Sequence, residues 1–192
     1  MIPDYRIQKY IDLVRKAPYK MCEEQYKLCD LIEKIFETEE LVVNSEQLDK
    51  YLAFQKYFPF DLLDWEVFCF ALHNCVYKKN GQLRFPVLLI YVGRGAGKNG
   101  YLGFEDFCLL TPVNGIKHYN VDIFAMSEQQ AKTSFKDVYN VLEENKSFMK
   151  KYFKWTKEVI TNIKTGSEFA FNTSNPKTKD GFRPGKVDFD EY

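Results

Sequence analysis

The residues best suited to chemistry lie in one glycine-rich stretch, YVGRGAGKNG, which spans residues 91–100. Glycines let backbone N–H groups turn towards an anion without a Cβ atom in the way. Lys98 supplies a positive charge for outer phosphates, and a helix that begins there would add the partial positive charge of its N-terminus. The stretch therefore predicts a site for the phosphates of a nucleoside triphosphate.

This stretch departs from the phosphate-loop pattern G-x-x-x-x-G-K-[ST] at two positions. Val92 occupies the place of the first glycine, and Asn99 occupies the place of the hydroxyl residue that contacts Mg²⁺. Asparagine can offer a carbonyl oxygen to the metal instead. The alternative interpretation is a glycine-rich turn with a solvated lysine.

A pair of acids near residue 192 could complete such a site. Asp190 would hold Mg²⁺ and Glu191 would orient the attacking water. The preceding run is usually apolar, but Lys186 and Asp188 interrupt it here, and a solvated acidic end is the alternative. A nuclease that uses Asp188, Asp190 and Glu191 together is disfavoured, because neighbouring strand residues point to opposite faces.

The elements around these residues follow an α/β order. Val87–Val92 is continuously apolar and predicts a buried strand, with a helix after the glycines through Leu110. Val121–Met126 predicts a second strand, and the helix after it places an apolar stripe on one face, formed by Ala131, Phe135, Val138 and Leu142. Strand, helix, strand and helix in this order predict a parallel α/β unit.

The remaining segments are a helical region and a hairpin. Residues 1–80 read as helical, because apolar residues such as Leu28, Leu31 and Ile35 recur at helical spacing. Alternating residues on both sides of Thr165-Gly166 predict a β-hairpin. We therefore expect an α/β fold with a helical N-terminal region over residues 1–80 and part of a parallel-sheet core over residues 81–192.

The composition of the chain argues against several classes of protein and of site. Lys plus Arg and Asp plus Glu both number 27, so net charge alone does not indicate a nucleic-acid-binding protein. The five cysteines show no C-x-x-C spacing and predict buried, reduced thiols rather than a zinc site. No apolar run approaches the ~18 residues that span a bilayer, and the first residues lack the apolar core of a signal peptide.

Three segments of the sequence together resemble the large terminase subunits of tailed bacteriophages, which are DNA-packaging motors. GRGAGKN is similar to the family's phosphate loop, which tolerates a missing first glycine and carries an early arginine, here Arg94. AMSEQQAKTSFKDVYNVLEE resembles the family's second strand and its helix. TGSEFAFNTSNPKTKDGFRPGKVDFDEY resembles its hairpin, its Asp-Gly turn and its acidic motif.

The resemblance implies a P-loop ATP hydrolase that uses ATP and Mg²⁺. Asp190 and Asn99 would serve the metal, and Glu191 and Arg94 would serve catalysis. The phosphates would be bound by residues of the glycine-rich loop: Gly93, Arg94, Gly95, Ala96, Gly97, Lys98 and Asn99. Trp65-Glu66 resembles the family's aromatic-Gln pair that contacts adenine, with Glu in the Gln place; packing of Trp65 in the core is the alternative.

The resemblance also implies partners and a location. They are double-stranded DNA, a portal protein, a small terminase subunit and further copies in a homo-oligomeric ring, in the host cytoplasm and without a membrane. We expect the chain to be an N-terminal portion that lacks the later strands and the nuclease domain, and to be nearly inactive alone. The alternatives are another P-loop motor, such as a helicase-like ATPase, and a non-catalytic remnant that at most binds nucleotide.

Overall fold

A computed structural model describes residues 2–125, 128–173 and 184–190 of the 192-residue chain. The chain divides into two compact units. Unit 1 comprises Met1–Ala53 and Asp61–Tyr91, and unit 2 comprises Phe54–Phe60 and Val92–Tyr192. No helix in the described part of the chain is both long enough and apolar enough to cross a membrane.

Unit 1 is mainly helical, as the sequence predicts. It contains α1 (Tyr5–Lys16), α2 (Glu23–Thr38), α3 (Ser45–Leu52), α4 (Asp64–Cys75) and an antiparallel pair formed by β1 (Leu41–Val43) and β2 (Val76–Lys78). Helix α1 packs on α4, where the ring centroids of Tyr10 and Phe68 lie 4.5 Å apart. The β1–β2 pair was not predicted, because strands of three residues are too short to show a period.

A buried ionic contact fixes the start of α1. The Asp4 carboxylate caps the helix by accepting a hydrogen bond from the Arg6 N–H at 2.9 Å. The Arg6 guanidinium donates to both carboxylate oxygens of Asp4, and the Ser45 hydroxyl donates to Oδ2 at 2.6 Å. Asp4 therefore joins the first helix to the start of α3.

Unit 2 contains a mixed sheet with helices packed on it. Its elements are α5 (Lys98–Leu110), β3 (Val121–Ala125), α6 (Glu128–Glu144), α7 (Lys146–Met149), β4 (Phe153–Trp155), β5 (Val159–Asn162), β6 (Glu168–Thr173) and β7 (Lys186–Asp190). Within the described ranges the strand order is β4-β5-β6-β3-β7. Strand β3 runs parallel to β6 and β7, whereas β5 runs antiparallel to β4 and β6.

Most of the predicted order in unit 2 is confirmed. Strand β3 and helix α6 follow one another as expected, and the apolar stripe of α6 is buried, as shown by Ala131, Phe135, Val138 and Leu142. Strands β5 and β6 form the predicted hairpin around Thr165-Gly166. Strand β3 pairs in parallel with β6, and α6 packs on both, but the strand predicted before α5 is not formed, so only part of the predicted α/β unit is present.

Helix α5 lies in the core of unit 2 and runs opposite to the parallel strands. Every residue from Tyr101 to Leu110 is buried. The Leu110 carbonyl accepts a hydrogen bond from the Thr165 hydroxyl at 3.0 Å, just before β6 begins. The C-terminus of α5 therefore lies where the parallel strands begin. Earlier in the helix, the Cβ position of Gly103 faces Ser134 and Val138 in the middle of α6, which begins just after β3 ends, so the N-terminus at Lys98 is directed towards the edge where the strands end.

The strand predicted over Val87–Val92 is wrong. Residues 85–93 form neither helix nor strand, and Val87, Leu89 and Tyr91 are 84%, 89% and 99% exposed. An apolar run becomes a strand only where another strand supplies its backbone hydrogen bonds, and none of the described strands pairs with this segment. Apolar composition alone was therefore insufficient for the prediction.

Candidate functional site

The glycine-rich loop forms a turn that leads directly into α5. Gly95 and Gly97 have φ angles of 83° and 96°, in the left-handed region that favours glycine. The Ala96 N–H donates to the Gly93 carbonyl at 3.2 Å, and α5 begins at Lys98. The glycines are therefore required by the backbone conformation that precedes the helix.

The N-terminus of α5 has no side-chain cap. Gly97 occupies the N-cap position and has no side chain to accept from the first N–H groups of the helix. A Cβ atom added at Gly93 or Gly95 would have no atom of another described residue within 4 Å, apart from its chain neighbours. The N–H groups at a helix N-terminus, together with the positive end of the helix dipole, favour an anion. The loop residues thus fit a bound phosphate group.

The other predicted loop residues surround this helix start. Arg94 is exposed, whereas Ala96, Lys98 and Asn99 are half-buried. Lys98 and Asn99 lie in the first turn of α5, which is the position from which side chains can reach a ligand at the helix N-terminus. The structure therefore keeps these residues together in one short segment.

Asp190 is the last residue of β7 and pairs in register with Ala125, the last residue of β3. Glu191 lies outside the described residues. Because α5 runs opposite to β7, the helix N-terminus and the end of β7 are both directed to the carboxyl edge of the parallel strands. Ligands of open parallel sheets bind at this edge.

Trp65 and Glu66 lie in α4 of unit 1. Glu66 is buried and its carboxylate accepts a hydrogen bond from the Leu63 N–H at 2.7 Å, which satisfies the backbone N–H of the N-cap residue of α4. Burial raises the pKa of Glu66, although the Leu63 N–H acts to lower it. Trp65 is half-buried. Glu66 therefore has a structural role at the start of α4. The comparison of Trp65-Glu66 with an adenine-contacting pair did not predict this role.

Four buried ionisable side chains connect α5 to β7, and we refer to Glu105, Asp106, Lys186 and Asp188 as the Lys186 cluster. The Lys186 Nζ atom lies 2.8 Å from Glu105 Oε2, 2.6 Å from Asp106 Oδ1 and 3.0 Å from Asp188 Oδ2. None of the four side chains is more than 8% exposed. Tyr101 donates from its hydroxyl to the other oxygen of Glu105 at 2.9 Å.

The pKa values in the Lys186 cluster follow from burial and charge. Burial acts to lower the pKa of Lys186, but the charges of Asp106, Asp188 and Glu105 outweigh it and raise this pKa well above the usual value. Burial and the nearby Asp188 raise the pKa of Asp106, against the opposing effect of Lys186. The Oδ2 atom of Asp106 is buried without a hydrogen-bond partner among the described residues.

The cluster accounts for a feature that looked anomalous in the sequence. Lys186 and Asp188 interrupt the apolar run before Asp190, and the structure supplies their partners from α5. Glu105 and Asp106 were not singled out from the sequence. The available signal was a pair of acids in YLGFEDFCLL, a helix that is otherwise apolar and therefore expected to be buried on all sides.

No group of three Cys, His, Asp or Glu residues in the described ranges is placed to hold a metal ion by itself. The three carboxylates of the Lys186 cluster surround an ammonium group instead. Mg²⁺ at phosphate sites is usually held by one or two protein groups together with the phosphates. Any magnesium site here therefore depends on the nucleotide as well as on the protein.

The fold of this chain is similar to that of the HK97 bacteriophage large terminase in its crystal structure. The TM-score is 0.60 and the sequence identity is 15%, over 78% of this chain and 31% of that chain. The chain thus spans about a third of the length of the terminase that it matches. Neither protein-family models nor curated proteins give a match. The similarity confirms the expected fold, and at this identity it supports the fold alone.

Proposed function

We propose that this chain is the ATP-binding part of a phage DNA-packaging motor of the large terminase type. The observation that carries the proposal is the turn with left-handed Gly95 and Gly97, which opens directly into the N-terminus of α5 at Lys98. This turn belongs to a unit whose parallel strands end at the edge towards which α5 is directed. The fold similarity to a large terminase agrees with the same assignment.

The loop residues would each have a defined role. The backbone from Gly93 to Asn99 would surround the phosphates, and Lys98 would neutralise the outer ones. Arg94, which is exposed, would approach the γ-phosphate or contact a neighbouring subunit. Asp190, with the Asn99 carbonyl oxygen, would hold Mg²⁺, which neutralises charge on the phosphates when bound.

Two further roles remain predictions. Glu191 would orient the attacking water, as acidic residues after such strands do in phosphoryl-transfer enzymes. Trp65 would stack on adenine, whereas the carboxylate of Glu66 is already used by the Leu63 N–H, so an adenine contact from Glu66 would have to share that group. ATP hydrolysis is thus proposed for the whole motor, and nucleotide binding for this chain.

The remaining proposals concern the assembly. Motors of this kind move double-stranded DNA, dock on a portal protein and cooperate with a small terminase subunit, and we propose these partners here. The chain would work in a homo-oligomeric ring in the cytoplasm of the host, encoded by a phage or prophage. A helicase-like motor and a non-catalytic nucleotide-binding remnant are the alternatives.

Equilibrium titration with a fluorescent ATP analogue tests the proposal. Removing the Lys98 ammonium in Lys98→Ala should weaken binding about tenfold or more, since hydrogen bonds to charged groups are worth about 1.5–3 kcal/mol. Lys117→Ala is the matched control, because Lys117 is an exposed lysine in the same unit, outside the loop. Equal affinity in wild type and Lys98→Ala would contradict the phosphate site.

A phosphate-release assay then separates the alternatives. Turnover that increases with double-stranded DNA and disappears in Glu191→Gln would support a packaging motor. Turnover that increases only with single-stranded nucleic acid would favour a helicase-like motor. Lys98-dependent binding without any turnover would favour the non-catalytic remnant.

A further inference from the structure

The Lys186 cluster joins α5, whose N-terminus is the proposed phosphate site, to β7, whose last residue is the proposed metal ligand Asp190. Lys186 is the first residue of β7, and Glu105 and Asp106 lie in the second half of α5. The lysine contacts both helix residues directly at 2.8 Å and 2.6 Å. Because these groups are buried, the connection lies in the core of unit 2 and not on its surface.

The contact between Lys186 and Asp106 lies at a similar distance from Lys98 along α5 and from Asp190 along β7. From Asp106, α5 extends eight residues back to Lys98, about 12 Å at the rise of an α-helix. From Lys186, β7 extends four residues to Asp190, about 13 Å at the rise of a strand. Since α5 and β7 run in opposite directions, both ends lie on the same side of the connection. Sliding of the helix along the strand would therefore change the separation between Lys98 and Asp190.

The chemistry of the cluster suits a role in fixing the position of α5 along β7 rather than a role in stability. Burying several ionisable groups is costly, and an apolar layer of similar volume is often as stable or more stable. Apolar contacts are not directional, so they tolerate small displacements between a helix and a strand. Charge-assisted hydrogen bonds at 2.6–3.0 Å are directional, so they permit one register between α5 and β7.

The backbone beside Lys186 is also fixed. The N–H groups of Gly185 and Lys186 both donate to the Asn120 carbonyl, at 2.8 Å and 3.1 Å. A Cβ atom at Gly185 would lie 2.4 Å from the Tyr119 ring, so the chain passes against this ring just before β7 begins. The start of β7 is thus held to the segment before β3, while its lysine is held to α5.

We propose that Lys186 is a positioning residue that sets the register of α5 against β7. It thereby sets the separation between phosphates bound at the start of α5 and the metal held by Asp190. The proposal rests on the nucleotide-binding function proposed above. Lys186 acts through these two elements and not by contact with the nucleotide.

The test compares affinity for an ATP analogue in Mg²⁺ and in EDTA, with the full chain. The polar variant combines Lys186→Met, Glu105→Gln and Asp106→Asn, which removes the ammonium together with two of its three carboxylates and leaves Asp188 as the one carboxylate of the cluster. An apolar variant combines Lys186→Met, Glu105→Leu, Asp106→Leu and Asp188→Val, because buried ionic groups can be replaced by packed apolar ones. Lys146→Met is the control, since it removes a half-exposed lysine of the same unit that pairs with Glu143.

The measured quantity is the ratio of the two dissociation constants, which gives the contribution of Mg²⁺ to nucleotide affinity. We expect this ratio to fall about tenfold or more in the folded cluster variants, the size of effect that residues behind metal ligands commonly have. Affinity in EDTA should stay close to that of wild type, and the control should retain the wild-type ratio. A purely structural role would leave the ratio unchanged in any variant that folds.

Each other outcome has a distinct meaning. Folded cluster variants with the wild-type ratio would overturn the positioning role and leave the nucleotide site intact. Failure of both cluster variants to fold would assign Lys186 to stability alone and would also overturn the proposal. If wild type bound no nucleotide in either buffer, the proposed function itself would be wrong, and the positioning role would be wrong with it.

Discussion

The Nζ atom of Lys186, at the start of β7, lies 2.6 Å from the Oδ1 atom of Asp106 in α5, 80 residues earlier in the chain. Both side chains are almost completely buried. A lysine on the core-facing side of a strand would ordinarily argue against that strand assignment, but here the helix supplies its counter-charges. The contribution of this contact to stability can be measured by unfolding experiments that need no nucleotide.

Replacing Lys186 alone should be strongly destabilising. Lys186→Met leaves the carboxylates of the cluster without their shared cation, and breaking a buried ion pair in this way costs about 3–5 kcal/mol. Urea denaturation should show this loss in the free energy of unfolding. Lys146→Met removes a surface pair with Glu143 and should change the free energy by no more than about 1 kcal/mol. Similar small losses in both variants would argue against a buried charge network.

Asp106→Asn should be tolerated far better than Lys186→Met. The pKa of Asp106 is raised well above 3.8 in the folded protein, chiefly by burial. The folded state therefore binds more protons than the unfolded state above pH 3.8, and this carboxyl lowers stability as the pH rises through its folded-state pKa. Asparagine resembles the protonated acid and does not titrate.

Denaturation of Asp106→Asn at several pH values checks this sign. The stability of the variant relative to wild type should increase as the pH rises from about 4 towards the folded-state pKa of Asp106. Asp61→Asn, at an exposed position in unit 1, should show no such trend. A relative stability of Asp106→Asn that fell with rising pH would show that Asp106 is ionised in the folded protein.

The glycines of the loop should differ in their tolerance of alanine. Gly97 has a φ of 96°, so Gly97→Ala should cost about 1–2 kcal/mol or shift the start of α5. The same change should weaken binding of the ATP analogue, because it moves the N–H groups at the helix start. Gly93→Ala is the control for the stability effect, since an added Cβ meets no atom of the described residues within 4 Å and its φ is not in the left-handed region. Equal effects at both positions would argue against a required loop conformation.

Unit 1 should lose a defined part of its stability in acid. Burial acts to raise the pKa of Asp4, but hydrogen bonds from Arg6 and Ser45 outweigh it and lower the pKa to about 2 from 3.8. The stabilisation is therefore complete above pH 3.8 and is lost as the pH falls towards 2, by on the order of 2 kcal/mol. Asp4→Asn should be less stable at neutral pH and show a correspondingly smaller acid loss. If Asp4→Asn lost as much stability in acid as wild type does, groups other than Asp4 would be responsible for the acid loss.

Local patterns in the sequence predicted much of unit 2. The apolar stripe of α6 and the alternation around Thr165-Gly166 each describe which side of one element is buried, and such information is local. The turn at the glycine-rich loop before Lys98 was predicted from its glycines, and the left-handed φ angles of Gly95 and Gly97 agree with it. The helical character of residues 1–80 followed from spacing alone.

Other features depended on contacts between distant elements. Residues 87–92 have the composition of a buried strand, yet whether they form one depends on a partner strand that composition does not specify. Lys186 and Asp188 looked unsuited to their strand, because Glu105 and Asp106 lie about 80 residues away and become neighbours only when α5 packs on the sheet. The sequence by itself determined most of the elements of unit 2 and the glycine-rich turn before α5. Only the tertiary structure decided which charges are buried together, since a buried charge is stable only beside a partner that folding brings to it.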